Sequence, residues 1–134
     1  AAQCGNLKIL IANAKNLTDY FQKGDVKVLY LNFSDPWPKK GHTKRRLTYR
    51  GFLELYKQIL TDDGKICFKT DNAGLFEFSL DEFKEAGFCL SEVTDDLHNS
   101  IYNEDNIETE YERNFSAKGF SIHRLVASMP SKCE

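Results

Sequence analysis

The chain has 134 residues, of which 41% are hydrophobic and 28% are charged, and its formal net charge at pH 7 is -2. This composition predicts one globular domain with a hydrophobic core, and it excludes a disordered or generally basic protein. Any affinity for a polyanion must therefore come from a local cluster of cations.

The first half of the sequence predicts strands that alternate with helices. Residues 7–11 and 26–33 have the apolar pattern of buried strands, and residues 17–21 form a short helix between them. From Arg46 onwards, apolar residues recur at helical spacing and predict a helix that ends near Leu60. This alternation is typical of a parallel sheet in an α/β protein.

The second half begins with a turn at residues 62–64 and a strand at residues 65–69. A third helix follows. Asn72 is a residue type that caps helix N-termini, and Gly87 supplies the left-handed conformation that ends many helices. The sequence therefore predicts a second strand-to-helix unit.

The two final strands, residues 88–93 and 120–128, are separated by an acidic segment without a helical pattern. They are expected to pair antiparallel at the end of the sheet. In open α/β sheets, ligands bind beyond the carboxyl ends of the strands. Asn13, residues 32–37 and residues 70–71 are therefore expected to converge on one crevice.

Residues 39–50 carry six of the 18 Lys and Arg side chains and no acidic residue, directly after Asp35 and Trp37. Lys and Arg bind phosphates, whereas a carboxylate reads a base edge and a tryptophan stacks on a base. Cations at a predicted helix N-terminus also favour an external anion. We interpret the segment as a nucleic-acid interface. The alternatives are that the cations form only a solvated charged face, that Asp35 is only the first residue of an Asp-Pro turn, and that Trp37 is only a packed aromatic residue.

Residues 95–112 contain seven acidic residues and no Lys or Arg, which predicts a molecule with separate basic and acidic ends. The four cysteines and three histidines lack the spacing of metal ligands, so no metal site is expected. Cys67 and Cys89 are expected to be free thiols within strands. The sequence has no apolar run of 18 residues, and we expect a cytoplasmic protein without a membrane partner.

Three motifs occur in order: NFSDPWPKK at residues 32–40, with His42, Lys44, Arg45 and Arg46 after it; FKTDN at residues 68–72; and TEYE at residues 109–112. With these motifs the chain resembles, over nearly its whole length, the bacterial tRNA (guanine-N7)-methyltransferases of the TrmB type. The resemblance implies a Rossmann-like class I fold. It also implies an enzyme that transfers methyl from S-adenosylmethionine to N7 of a variable-loop guanosine in tRNA.

The resemblance implies a catalytic role for Asp35 and cofactor contacts for Asn13 and Asp35. It also implies that substrate is bound by the following residues: Lys39, Asp71, Thr109, Glu110, Tyr111 and Glu112. With the charge pattern, it gives an RNA-binding set of Trp37, Lys40, Gly41, His42, Thr43, Lys44, Arg45, Arg46 and Arg50. Because guanine N7 carries no proton, Asp35 is expected to stabilise charge or hold the base rather than to act as a general base.

Asn13 stands where many members of this family carry Asp. The larger departure from the family is that the eight glycines of the sequence form no glycine-rich cofactor loop. Residues 1–134 are therefore expected to be the carboxyl-terminal part of a single methyltransferase domain that lacks the first two strands, with residues 95–119 as an acidic substrate-binding insertion. Alone, it is expected to be inactive. Strands 7–11 and 26–33 are expected to pair with each other, to self-associate or to be poorly ordered. The alternatives are a non-catalytic RNA-binding fragment and an amino-group nucleic-acid methyltransferase.

Overall fold

A computed structural model describes residues 5–130, apart from the side chains of Asp105 and Phe115. The described residues form the strands β1 Val26–Asn32, β2 Leu60–Thr70, β3 Cys89–Thr94 and β4 His123–Ser128. The α-helices are α1 Leu17–Tyr20, α2 Arg50–Lys57, α3 Ala73–Glu85 and α4 Glu110–Ala117. Short 3-10 helices occupy Ala14–Asn16, Lys40–Arg45, Leu97–Asn99 and Ile101–Asp105. No helix among them is long and apolar enough to cross a membrane.

The strands form one mixed sheet in the order β1-β2-β4-β3. β1 runs parallel to β2, and β4 runs antiparallel to both β2 and β3. The parallel pair brings the carboxyl ends of β1 and β2 to the same edge of the sheet. The α/β class and the antiparallel last strands expected from the sequence are thus confirmed. The acidic segment between those strands was expected to lack a helix, which is wrong, because it leads into α4.

One face of the sheet carries the hydrophobic core. Leu31, Phe68 and Leu125 lie side by side on neighbouring strands, and they belong to one buried cluster with side chains of α2 and α3. The predicted cap of α3 is confirmed, because Asn72 Oδ1 accepts a hydrogen bond from the Leu75 backbone N–H at 2.8 Å. Gly87 has the positive φ of 89° that a helix end requires.

Helices α2 and α3 are joined to each other by polar contacts. The buried Glu82 of α3 accepts hydrogen bonds from the Arg50 backbone N–H at 3.1 Å and from Arg50 Nη2 at 3.0 Å. Thr48 Oγ1 and Ser79 Oγ lie 2.7 Å apart in the interior. Lys57 Nζ donates to the carbonyl oxygen of Ala86. A carboxylate of one helix therefore caps the N-terminus of the other.

The predicted strand at residues 7–11 is wrong, because these residues have no regular secondary structure. Ile9 and Ile11 are 82% and 98% exposed. An apolar strand of a parallel sheet needs neighbours for its backbone groups and for both of its faces. Among residues 5–130, no strand pairs with this segment, and β1 pairs with β2 alone.

The two predicted boundaries around α2 also need correction. Helix α2 begins at Arg50 rather than Arg46, because Arg46 and Tyr49 both have extended backbone conformations. Residues 62–64 lie within β2 rather than in a turn before it. The β1–β2 register shifts there, and a Cβ on Gly64 would lie only 2.9 Å from the Thr61 carbonyl oxygen. Gly64 thus permits an irregularity within β2. The sequence of this irregular segment has the same pattern as a turn, which is why a turn was predicted.

The two cysteines in the described part of the chain, Cys67 and Cys89, differ from each other. Cys67 is a buried, free cysteine of β2, as expected. Cys89 is disulfide-bonded, so the expectation of a free thiol at this position is wrong.

Candidate active site and nucleic-acid interface

The loop at residues 33–37, called the Asp35 loop below, leaves β1 in a strained conformation. The Phe33 backbone N–H still donates to the Lys69 carbonyl oxygen at 2.9 Å, which extends the β1–β2 ladder by one residue. Phe33 and Trp37 then have positive φ angles of 55° and 43°. Non-glycine residues in this region cost free energy and are concentrated at functional sites. The exposed Asp35 lies between the two strained residues.

The Asp35 loop meets the start of α4 at the carboxyl end of the β1–β2 pair. The Tyr111 ring lies 4.9 Å from the Phe33 ring, measured between centroids. Its hydroxyl donates long hydrogen bonds to the Asp71 carboxylate, at 3.4 and 3.5 Å. Partial burial and then the charges of Asp71 and Asp35 raise the pKa of Tyr111. The structure thus brings Tyr111, Phe33 and Asp71 together close to the charge of Asp35. This is part of the crevice expected from the sequence, and no contact of the described residues adds Asn13 to it.

A buried network fixes α4 to β2. Lys69 Nζ donates to Glu112 Oε1 at 2.6 Å, to Asn106 Oδ1 at 3.0 Å and to the Ile107 carbonyl oxygen at 2.9 Å. The other Glu112 oxygen, Oε2, lies 2.6 Å from His98 Nε2 and 2.7 Å from Asn106 Nδ2. These three acceptors of Lys69 Nζ all lie in the acidic segment, residues 95–112.

Glu112 is fully buried in this network. Burial raises the pKa of its carboxyl, but hydrogen bonds from His98, Lys69 and Asn106 together outweigh burial and lower it. The carboxylate is therefore charged and faces the protein interior. The sequence had suggested that Glu112 contacts the substrate, but its carboxylate faces the interior instead. Glu112 anchors the start of α4, and so fixes the residues beside it in the chain.

The other residues of the TEYE motif surround this anchor. Thr109 Oγ1 accepts a hydrogen bond from the Glu112 backbone N–H at 3.0 Å, which caps α4. Glu110 and Tyr111 are exposed in its first turn. The anchor thus leaves Glu110 and Tyr111 exposed, with the Tyr111 ring against Phe33 of the Asp35 loop.

Residues 39–46, called the basic loop below, fold back on Trp37. The His42 ring lies edge-on to the Trp37 ring at 5.5 Å, and the Arg45 guanidinium lies 5.1 Å from the centre of that ring. Thr43 Oγ1 donates to the Lys40 carbonyl oxygen at 2.8 Å and stabilises the 3-10 helix. A Cβ on Gly41 would meet no atom within 4 Å, so this position is open to solvent.

The six cations of the sequence motif divide into two groups. Arg46 donates to the Trp37 carbonyl oxygen, and Arg50 pairs with Glu82. Within residues 5–130, the remaining four are exposed and form no ion pair: Lys39, Lys40, Lys44 and Arg45. Because α2 starts at Arg50, residues 44–46 do not oppose its dipole. These four are thus the exposed cations of the motif that no described carboxylate neutralises, and we take them as the phosphate-binding group.

Asn13 lies on an exposed segment, and its Oδ1 accepts a hydrogen bond from the Lys15 backbone N–H at 2.9 Å. Its acceptor is thus engaged within its own turn. The described residues also give His98, Glu108 and Glu112 as side chains whose ligand atoms lie within 4.8 Å of one another. The Lys69 ammonium already supplies the positive charge at Glu112, so we assign this group to the buried network and not to a metal.

Beside the network lies a cavity of about 520 Å³ that sequence reasoning did not predict. It covers the sheet face opposite the core, where Tyr30, Cys67 and Arg124 come from three neighbouring strands. Asn32, Lys69 and Thr109 connect it to the candidate site. The sequence contained one sign of this cavity. Alternate side chains of β1 point to opposite faces of the sheet, and one of these faces is partly polar although the strand is apolar overall.

A family model described as "Putative methyltransferase" matches residues 1–125. The tRNA (guanine-N(7)-)-methyltransferase of Geobacillus sp. strain WCH70 is 56% identical over 95% of this chain and 57% of that protein. The enzyme of the same name from Streptococcus equi subsp. zooepidemicus is 53% identical over 96% of this chain and 60% of that protein. A crystal structure of geranyl diphosphate C-methyltransferase from Streptomyces coelicolor A3(2) has a TM-score of 0.47 and 12% identity, covering 89% of this chain and 52% of that one.

The chain therefore spans less than two thirds of the length of these curated relatives. The family match nevertheless extends from the segment before β1 into β4, and it includes the Asp35 loop, the basic loop and α4. By this match, the chain belongs to the putative methyltransferase family.

Proposed function

We propose that this chain is the carboxyl-terminal part of a tRNA (guanine-N7)-methyltransferase and forms its tRNA-binding and guanine-binding surface. The convergence of Asp35, Asp71 and Tyr111 next to four exposed cations carries the proposal. The names and identities of the curated relatives support it. Residues 95–119 act in this proposal as the insertion that completes the substrate site, and tRNA in the cytoplasm is the partner.

The proposed chemistry follows from guanine itself. N7 has an in-plane lone pair and no proton, and methylation leaves positive charge on the purine. Asp35 and Asp71 stabilise this charge, and one of them accepts hydrogen bonds from N1–H and the 2-amino group, which adenine lacks. Tyr111 stacks on the base, while Lys39, Lys40, Lys44 and Arg45 bind the flanking phosphates.

S-adenosylmethionine supplies the methyl group in the proposed reaction. The residues of this chain fit only part of its pocket, because Asn13 and Asp35 are both exposed and the sequence has no glycine-rich loop. Asn13 would contact the cofactor through its amide nitrogen, since its oxygen caps the following turn.

A chimera tests the proposal. This chain replaces the matching 57% of the Geobacillus relative, and the product is incubated with S-adenosylmethionine and a tRNA transcript that has guanosine in its variable loop. We expect 7-methylguanosine, detected by mass spectrometry of the nucleosides. Methylation of an exocyclic amino group would instead favour an amino-group methyltransferase. A chimera that binds tRNA and cofactor but transfers no methyl would leave only a non-catalytic RNA-binding role.

A further inference from the structure

Arg46 differs from the other side chains of the basic loop in the direction of its donors. Nε and Nη2 lie 3.2 and 3.1 Å from the same acceptor, the carbonyl oxygen of Trp37. Two donors of one planar group define the direction of that carbonyl as well as its distance. Arg46 is half-buried, whereas its neighbours Lys44 and Arg45 are exposed. Its guanidinium is therefore directed at the protein.

A second contact ties Arg46 to a rigid element. The guanidinium carbon lies 4.5 Å from the centre of the Phe78 ring, a distance at which a cation is attracted to an aromatic face. Phe78 belongs to α3, which is fixed to the sheet by the buried Phe76 and Phe83. Arg46 thus connects the Asp35 loop to the hydrophobic core.

The Asp35 loop needs such a connection because its backbone is strained on both sides of Asp35. Phe33 and Trp37 have positive φ angles, and such conformations persist only where surrounding contacts enforce them. Phe33 is held by its hydrogen bond to Lys69. Trp37 is held through its carbonyl oxygen by Arg46.

We propose that Arg46 is a positioning residue that fixes the Asp35 loop, and that it is not a phosphate ligand. The inference rests on the proposed function, in which Asp35 faces the guanine. An ammonium group cannot replace a planar fork that binds one carbonyl with two donors and lies on an aromatic ring. A phosphate, in contrast, is bound by Lys as well as by Arg.

The experiment compares Arg46→Ala and Arg46→Lys with Lys44→Ala, a matched control in the same loop. Trp37 is the only tryptophan, so its fluorescence reports on the loop directly. We expect both Arg46 variants to shift its emission to longer wavelength and to increase quenching by acrylamide, with Lys44→Ala unchanged. In binding assays with tRNA transcripts that carry guanosine or adenosine in the variable loop, the Arg46 variants lose the preference for guanosine.

The salt dependence of tRNA binding separates the two roles. Lys44→Ala lowers the log-log slope by about 0.7 to 0.9 because one phosphate is no longer neutralised, whereas the Arg46 variants keep the wild-type slope. A wild-type emission spectrum and guanosine preference in Arg46→Lys would overturn the inference, as would a reduced slope in Arg46→Ala. If Arg46→Ala does not fold, Arg46→Lys decides by the same measurements. A wild-type chain that does not bind tRNA would refute the proposed function, and the emission spectra would still decide the role of Arg46.

Discussion

Tyr111 is the residue at which the Asp35 loop and α4 meet. Burial and the neighbouring carboxylates raise the pKa of its hydroxyl, so the group stays protonated at neutral pH and donates towards Asp71. One side of the ring contacts Phe33, while 43% of the residue remains exposed. An exposed ring beside two carboxylates is suited to stack on a purine that the carboxylates hold by its edge.

We expect Tyr111→Ala to weaken tRNA binding by about 1 to 3 kcal/mol, the range for removal of one aromatic ring that stacks on a base. Tyr111→Phe keeps the ring and removes the hydroxyl that makes long hydrogen bonds to Asp71, so its affinity should stay close to that of the wild type. Fluorescence anisotropy with labelled tRNA measures both. If Tyr111→Ala bound tRNA as tightly as the wild type, Tyr111 would not be part of the base site.

In the methyltransferase chimera, Asp35→Asn keeps the size of the side chain but removes its charge. We expect single-turnover methyl transfer to fall by about 10² to 10³, the scale for loss of one preorganised polar group. Lys39→Ala, the control, should mainly weaken tRNA binding. Because N7 carries no proton, the rate should have no ascending limb near neutral pH. A near-normal rate for Asp35→Asn would leave Asp35 as a turn residue.

At the scale of elements, the position of α4 depends on the buried ion pair between Lys69 of β2 and Glu112 of α4. Lys69 and Glu112 are 7% and 0% exposed, and both are satisfied by hydrogen bonds across β2, α4 and the segment between them. When one member of such a pair is removed, the other is left charged and buried. The position of α4, and hence of Tyr111, therefore depends on the charge of Glu112.

We expect Glu112→Gln to lower the free energy of unfolding by about 3 to 5 kcal/mol at pH 7. In the wild type, the folded-state pKa of Glu112 is below its ordinary value of 4.5, so its contribution is present above that pH and is lost as the pH falls further. Urea unfolding between pH 7 and pH 3 should show a smaller loss at acid pH in Glu112→Gln. The exposed neighbour Glu110→Gln is the control. Equal stability of the two variants would contradict the anchoring role.

Predictions from the sequence succeeded where the cause of an element is local. The cap of α3 at Asn72 depends on an amide oxygen and an N–H three residues away, so the sequence displays it. The start of α2 depends on Glu82, which is 32 positions from Arg50, and the burial of Glu112 depends on Lys69. No local pattern contains these partners. The motif spacing identified the site residues, but it did not distinguish anchors from residues that face solvent.

For the molecule as a whole, the open edge of β1 has the largest consequence. The Phe33 N–H points to β2, and backbone groups alternate along a strand, so those of Tyr30 and Asn32 point to the other side. Among residues 5–130, no strand pairs with that side. Unpaired strand edges favour pairing with another chain.

We therefore expect this chain to self-associate as its concentration rises, measured by size-exclusion chromatography with light scattering. Tyr30→Lys places a cation next to the open edge and should shift the equilibrium towards the monomer. Ile11→Lys makes the same change in charge at a residue that is 98% exposed and outside the sheet. A monomer at all concentrations, or equal effects of the two variants, would exclude association through β1.

The contacts between α2 and α3 also determine how the molecule opens. Because Glu82 caps α2 from α3, melting of either helix leaves a charged or polar group of the other without its partner. The two helices should therefore form one cooperative unit in native-state hydrogen exchange, with the same opening free energy for both. Glu82→Gln should lower that energy in both helices together. Helices α2 and α3, of which α3 contacts the basic loop through Phe78, are thus expected to unfold in a single step. A fluctuation that exposes one of these helices to solvent would therefore expose the other as well.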